Sequence, residues 1–212
     1  DDQDWPKPSY TIADYVRLLK PAYETMKTAA PQCRVVGGVC VNGTWDAMVA
    51  DAEEFIRLGG LDYMDIYNLH PYGTFYKTPE GFIPSFKSIN ALMDASSKGR
   101  LPYWATECGY YGEDDRPWTP WIVPKDHHGA SSLQPTEKTA ADFTIRQAAI
   151  MLAHGTEKIF YHQGSEDLIN SGSASLSLPH LGPLAVPRKV FAAQSAFANL
   201  LGPKPVFAAE LA

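Results

Sequence analysis

The feature that most constrains this chain is a repeated change of hydrophobic period. Short apolar runs at 34–39, 63–69, 101–107 and 158–162 alternate with longer stretches whose apolar residues recur every third or fourth position. The short runs read as buried strands and the longer ones as helices with one apolar face. The first helical stretch, 10–30, carries Ile12, Tyr15, Val16, Leu19, Tyr23 and Met26, and Pro21 is expected to kink or divide it. After the strand at 34–39, the stripe Trp45, Met48, Val49, Ala52, Phe55 and Ile56 is stopped by Gly59 and Gly60. After 63–69, Ser85 is placed to cap a helix with Phe86, Ile89, Leu92 and Met93 inward. After 101–107 and a long loop, Thr136 opens a helix with Ala140, Phe143, Gln147, Ala148 and Met151 on one side, ended by Gly155. After 158–162, a Ser/Gly-rich loop at 164–186 leads to Pro187 as a first helical residue and a helix ending at Gly202.

A helix followed by four strand–helix units implies an α/β fold with parallel pairing and right-handed crossovers. Four such units are half of a (β/α)8 TIM barrel, whose full size is about 250 residues. The expectation is therefore the C-terminal half of a (β/α)8 barrel, with residues 1–202 as the partial barrel domain. Residues 203–212 form a tail that either starts an appended β-domain or closes the barrel. A doubly wound open sheet is the alternative, although no Gly-rich phosphate loop follows any strand. A half-barrel alone would expose two sheet edges and a bare inner face. Self-association, or a missing N-terminal half, is expected to cover them.

Lys plus Arg number 18 against 24 Asp plus Glu, a net charge of −6, so the chain lacks the basic stripe a nucleic-acid partner would need. No apolar run approaches the ~20 residues that span a bilayer, so no membrane association is expected. The chain begins Asp1-Asp2-Gln3-Asp4, which suggests a removed signal segment or a piece of a longer protein. Secretion suits an acidic, aromatic-rich chain, but no segment decides localisation. Cys33, Cys40 and Cys108 cannot all pair and match no zinc or redox spacing, so buried free thiols are expected.

In a barrel, chemistry sits at the C-terminal ends of the strands. Those positions are 39–42, 69–73, 106–109 and 161–163. Strand alternation places Tyr103, Ala105 and Glu107 on one face. A carboxylate ending an apolar strand must be paired or functional. Glu107 is the first candidate. His70-Pro71-Tyr72-Gly73 suggests a sharp turn at the preceding strand end, of the kind a cis His70–Pro71 bond would serve.

The order Val35-Val36-Gly37-Gly38, then Leu61-Asp62-Tyr63-Met64-Asp65-Ile66 and Leu69-His70-Pro71-Tyr72-Gly73, continues with Pro102-Tyr103-Trp104-Ala105-Thr106-Glu107-Cys108-Gly109-Tyr110 and Glu157-Lys158-Ile159-Phe160-Tyr161. This series resembles glycoside hydrolase clan A, most closely the family 39 and family 5 barrels, over almost the whole chain. The resemblance implies that Glu107 ends the seventh strand and is the nucleophile of a retaining glycosidase. It also implies that Tyr72 or His70, ending the sixth strand, hydrogen-bonds that nucleophile. His162, ending the eighth strand, falls where the clan often has an aromatic sugar platform. In the clan the acid/base is a Glu following Asn at the end of the fourth strand. This sequence has no Asn-Glu pair, so the general acid is expected to be absent and these residues alone to be inactive. Asp1, Asp2 and Asp4 read as a solvated acidic terminus.

Retaining hydrolysis needs one carboxylate to attack the anomeric carbon and another to protonate the leaving oxygen, which suits Glu107 in the first role. Trp118 and Trp121, with His127 and His128, lie in the loop 109–136, and such rings can stack on the apolar faces of sugars. Tyr110 and Asn42 complete the candidate substrate contacts, and an oligosaccharide, polysaccharide or glycoside is the expected substrate. No cofactor and no metal are expected. Two other readings stay open: a non-catalytic half-barrel that binds carbohydrate or packs with a partner, and a metal-dependent barrel hydrolase using His70, Glu107 and His162.

Overall fold

The computed structural model describes residues 11–38, 45–72, 78–112, 133–134, 136–161, 187–203, 205 and 208. Five helices and six strands occur among them: α1 (Ile12–Ala29), β1 (Val36–Gly37), α2 (Trp45–Arg57), β2 (Ile66–Leu69), α3 (Ile83–Ala95), β3 (Tyr103–Cys108), β4 (Tyr111–Gly112), β5 (Leu133–Gln134), α4 (Glu137–Ala153), β6 (Thr156–Tyr161) and α5 (Lys189–Leu201). One sheet has the order β1-β2-β3-β6. β1 pairs with β2 in parallel (Val36 opposite Ile66), and β2 with β3 in parallel (Tyr67 opposite Tyr103). β4 and β5 form a separate parallel pair. The chain is a mixed α/β protein with its strands and helices in the expected order.

Described residues fall into two compact units. One comprises those up to His70 together with Phe82–Thr106 and His154–Lys158; the other comprises Pro71–Gly81, Glu107–Ala153 and those from Ile159 onward. In the first unit, rings form a chain of contacts: Tyr15 with Phe55 (5.8 Å), Phe55 with Tyr67 (6.1 Å), Tyr67 with Tyr103 (5.8 Å), Tyr103 with Phe86 (5.8 Å), and Phe86 stacked on His154 (5.5 Å). Mostly edge-on contacts of this kind bring the positive ring edge to the negative face. The buried Tyr103 hydroxyl donates to Asn90 Oδ1 (2.8 Å), and Asn90 Nδ2 donates to the His154 carbonyl (3.2 Å). The Tyr103 hydroxyl and the Asn90 amide are thereby answered within this core.

Asp65 ties α1, β1 and β2 together. It accepts from the Val35 amide (2.7 Å) and pairs with Lys27 (2.7 Å), while the Tyr23 hydroxyl lies at 3.3 Å. Burial alone would raise its pKa, but the Lys27 ammonium and the Val35 amide outweigh that and hold it below the usual range. Two glycines are required by space. A Cβ at Gly60 would lie 2.3 Å from the Phe55 ring. At Gly38, with φ +136°, it would lie 2.9 Å from backbone atoms of Asn68.

In the second unit, α4 packs on α5 and on β4 and β5. Its buried face is Ala140, Ala141, Thr144, Gln147, Ala148 and Met151, small residues apart from Gln147 and Met151. Glu137 receives Arg188 Nη1 (3.0 Å) and the Lys189 amide (3.2 Å), so a carboxylate sits where the first turn of α5 leaves its amides unpaired.

Several expectations are corrected. Pro21 does not divide α1, and its ring faces solvent, so the helix loses one backbone bond without a clash against the core. Its start is held by a Thr11–Asp14 capping box, and Met26 is 40% exposed rather than inward. Ser85 lies inside α3 and is buried; a 3-10 turn, Pro79–Phe82, leads straight into the helix instead. Pro187 precedes α5, which begins at Lys189. The His70–Pro71 bond is trans. Of the two described cysteines, both free, Cys108 is buried and Cys33 only half-buried; Cys40 lies outside the described residues.

Candidate functional site

β3 departs from strict alternation at the position that matters most. Tyr103 and Ala105 are buried, Trp104 and Thr106 half-buried, but Glu107 is half-buried as well and Cys108 takes the next buried place. A half-buried carboxylate keeps part of its hydration, which full burial would take away. Cys108 fills the buried place instead. Its thiol donates to the Phe160 carbonyl (3.6 Å), and burial pushes its pKa far up, so it is no nucleophile.

Within the second unit, the Tyr72 hydroxyl donates to Glu107 Oε1 in a short hydrogen bond. Tyr72 follows β2 by three positions, and its ring is half-buried. Such a donor fixes the plane of the carboxylate. The resemblance left Tyr72 and His70 as alternatives for this contact, and the structure puts Tyr72 there.

His70 belongs to the first unit, where its Nε2 lies 2.9 Å from Thr106 Oγ1. Thr106 Oγ1 in turn donates to Asn68 Oδ1. A hydroxyl has one proton, and this one is directed at Asn68. His70 Nε2 can then donate to this oxygen in the tautomer that carries its proton there. Tyr110 is fully buried in the second unit, its ring edge-on to Phe143 at 5.4 Å, and burial holds its phenol well above the usual range. It is packed rather than presented to a ligand. Asn42, Trp118 and His162 lie outside the described residues, as do Trp121, His127 and His128. Among the described residues, no group of three or more His, Cys, Asp or Glu could hold a metal ion. No described helix is long and apolar enough to cross a membrane.

Sequence reasoning placed Gln147 on the apolar stripe of α4 but gave it no role. It is fully buried, and its Nε2 donates to the Pro71 carbonyl at 2.6 Å. The available signal was an amide among Ala140, Phe143, Ala148 and Met151, since a buried amide needs a partner. The next residue toward the N-terminus, Arg146, reaches Glu80 through Nε (2.9 Å) and Nη2 (2.5 Å), a bidentate pair.

No protein-family profile matches the sequence, and no curated protein does. Solved structures do. The chain is similar to a GH2 β-galacturonidase from Eisenbergiella tayi (TM-score 0.60, 13% identity), covering 93% of this chain and 32% of that one. It is also similar to a GH39 β-xylosidase from Caulobacter crescentus (TM-score 0.57, 16% identity, 89% and 37%). A third likeness is to a GH51 α-L-arabinofuranosidase from Thermotoga petrophila (TM-score 0.51, 13% identity, 78% and 33%). The fold is therefore one found within glycoside hydrolases. The chain spans about a third of the length of these relatives.

Proposed function

We propose that this chain is the nucleophile-bearing, C-terminal half of a (β/α)8 barrel in a retaining glycoside hydrolase. Residues 1–202 form the partial barrel domain and 203–212 the tail. The observation that carries the reading is the Tyr72 hydroxyl donating to Glu107 at the end of β3. Similarity of fold to glycoside hydrolases from several families supports it.

In this reading the Glu107 carboxylate attacks the anomeric carbon as the bond to the leaving oxygen breaks, forming a glycosyl ester. Water then cleaves that ester and returns the carboxylate. Tyr72 holds the attacking oxygens in line and stabilises their charge before attack. The resemblance implies that the proton for the leaving oxygen comes from a Glu following Asn, a pair these residues lack. A longer chain or a partner would supply it.

The test uses the protein at its full natural length. It is challenged with para-nitrophenyl glycosides of xylose, galacturonic acid, glucuronic acid and arabinofuranose, the sugars named in the similar structures. Glu107→Gln is expected to lose at least ~10³-fold in turnover, as removal of a nucleophile does. A fluorinated aryl glycoside of the accepted sugar should label the peptide containing Glu107 in the unaltered enzyme. Retained turnover in E107Q sinks the reading. Binding of sugar without any turnover moves the chain to the carbohydrate-binding alternative, and loss of turnover on adding a chelator to the metal-dependent one.

A further inference from the structure

Gln147 is the one long polar side chain on the buried face of α4, and it spends its amide on a single distant carbonyl. That carbonyl belongs to Pro71, 76 positions away in the sequence, in the peptide that leads directly into Tyr72. Proline has a fixed φ near −65°. Holding its carbonyl fixes ψ as well, so both soft torsions at Pro71 are set, one by the ring and one by Gln147.

We propose that Gln147 is a positioning residue for the Tyr72–Glu107 pair: its amide anchors the Pro71–Tyr72 peptide and thereby sets where the Tyr72 hydroxyl meets the carboxylate. Tyrosine is a long lever. A small rotation at Pro71 displaces the hydroxyl by about 1 Å, a misplacement that can cost about a hundredfold in rate. Leucine or methionine would fill the same place on the apolar stripe with no amide to satisfy, so the stripe itself gives no reason for glutamine. Arg146 gives α4 a second hold on the same segment through Glu80. Consecutive residues of α4 thus anchor residues close to both ends of Pro71–Gly81, the segment that carries Tyr72.

The activity readout rests on the nucleophile reading of Glu107, so it is paired with one that does not. The full-length protein carries tyrosine labelled at Cζ, and the Tyr72 signal is assigned by its absence in Tyr72→Phe. In Gln147→Met this signal should move in the direction it takes in Glu107→Gln. An unmoved signal in Q147M, with a moved one in E107Q, overturns the proposal.

In kinetics, Q147M should lower kcat by about ten- to a hundredfold with KM little changed. The double variant Q147M/Y72F should lose no more than Y72F alone, because Gln147 acts through Tyr72. Losses that multiply would show an independent, merely structural role and overturn it. If Q147M does not fold, Gln147→Glu decides within one sample. Its protonated carboxyl can donate to Pro71 at low pH and restore the unaltered Tyr72 signal, whereas the ionised form cannot. A Tyr72 signal constant across that titration overturns the proposal. Turnover retained in E107Q defeats the glycosidase reading instead and leaves the Tyr72 signal to decide about Gln147.

Discussion

The two compact units bury different kinds of chemistry. In the first, rings from α1, α2, α3, β2 and β3 touch in series from Tyr15 to Phe86, and the Tyr103 hydroxyl among them donates to Asn90. In the second, half of the buried residues of α4 are alanine, and the contacts that stand out are polar: Gln147 to Pro71, Glu137 to Arg188, Tyr72 to Glu107. The burial of ring surface is itself non-directional. Hydrogen bonds fail within a few tenths of an ångström and beyond modest angles. The ring series and the hydrogen bonds around α4 should therefore respond differently to substitution.

That contrast can be tested in stability measurements, taken from the largest expected effect to the smallest. Phe55→Ala removes a ring at the junction of Tyr15 and Tyr67 and should cost about 3–5 kcal/mol, read from the urea midpoint. A loss below about 1 kcal/mol would show that the ring series is not the core. Arg188→Met breaks a pair whose side chains are 6% and 18% exposed and takes one of its donors from Glu137. About 3 kcal/mol is expected, and the additional variant Glu137→Gln should recover part of it. Gly60→Ala adds a methyl 2.3 Å from the Phe55 ring and should cost about 1–3 kcal/mol, an overpacking penalty that should largely vanish in the F55A background.

The smallest effect is electrostatic. Hydrogen bonds from Arg146 hold Glu80 well below its ordinary value of 4.5, at about 2. A depressed carboxyl adds stability above its unfolded pKa, and that share is lost as pH falls from about 4.5 to about 2. Both side chains are more than a third exposed, so the contribution should stay under about 1 kcal/mol. Glu80→Gln should flatten the stability–pH curve in that window, and an unchanged curve would show that the bidentate pair does not persist in solution.

Element order was legible in the sequence because hydrophobic period is a local property, and the helix stops at Gly155 and Gly202 were legible because a positive φ favours glycine. Met48, Ala52 and Phe55 are buried as their spacing predicts. What escaped was decided at a distance. Nothing near Ser85 announces that a 3-10 turn will start the helix before it. Nor does any local rule show that Glu107 stays half-buried where alternation would bury it. Glu107 stood out as a carboxylate ending an apolar run, whereas Tyr72 and His70 could be told apart only once their partners were known. Gln147 was visible as an anomaly on its stripe, but its partner, 76 residues away, was not.

Gly38 places a limit on how this protein can drift. Every amino-acid replacement there introduces a Cβ, and that atom would lie 2.9 Å from the Asn68 backbone. Asn68 Oδ1 accepts from Thr106 Oγ1, which also meets His70 Nε2. A substitution at Gly38 would therefore press on the residue through which Thr106 and His70 are held.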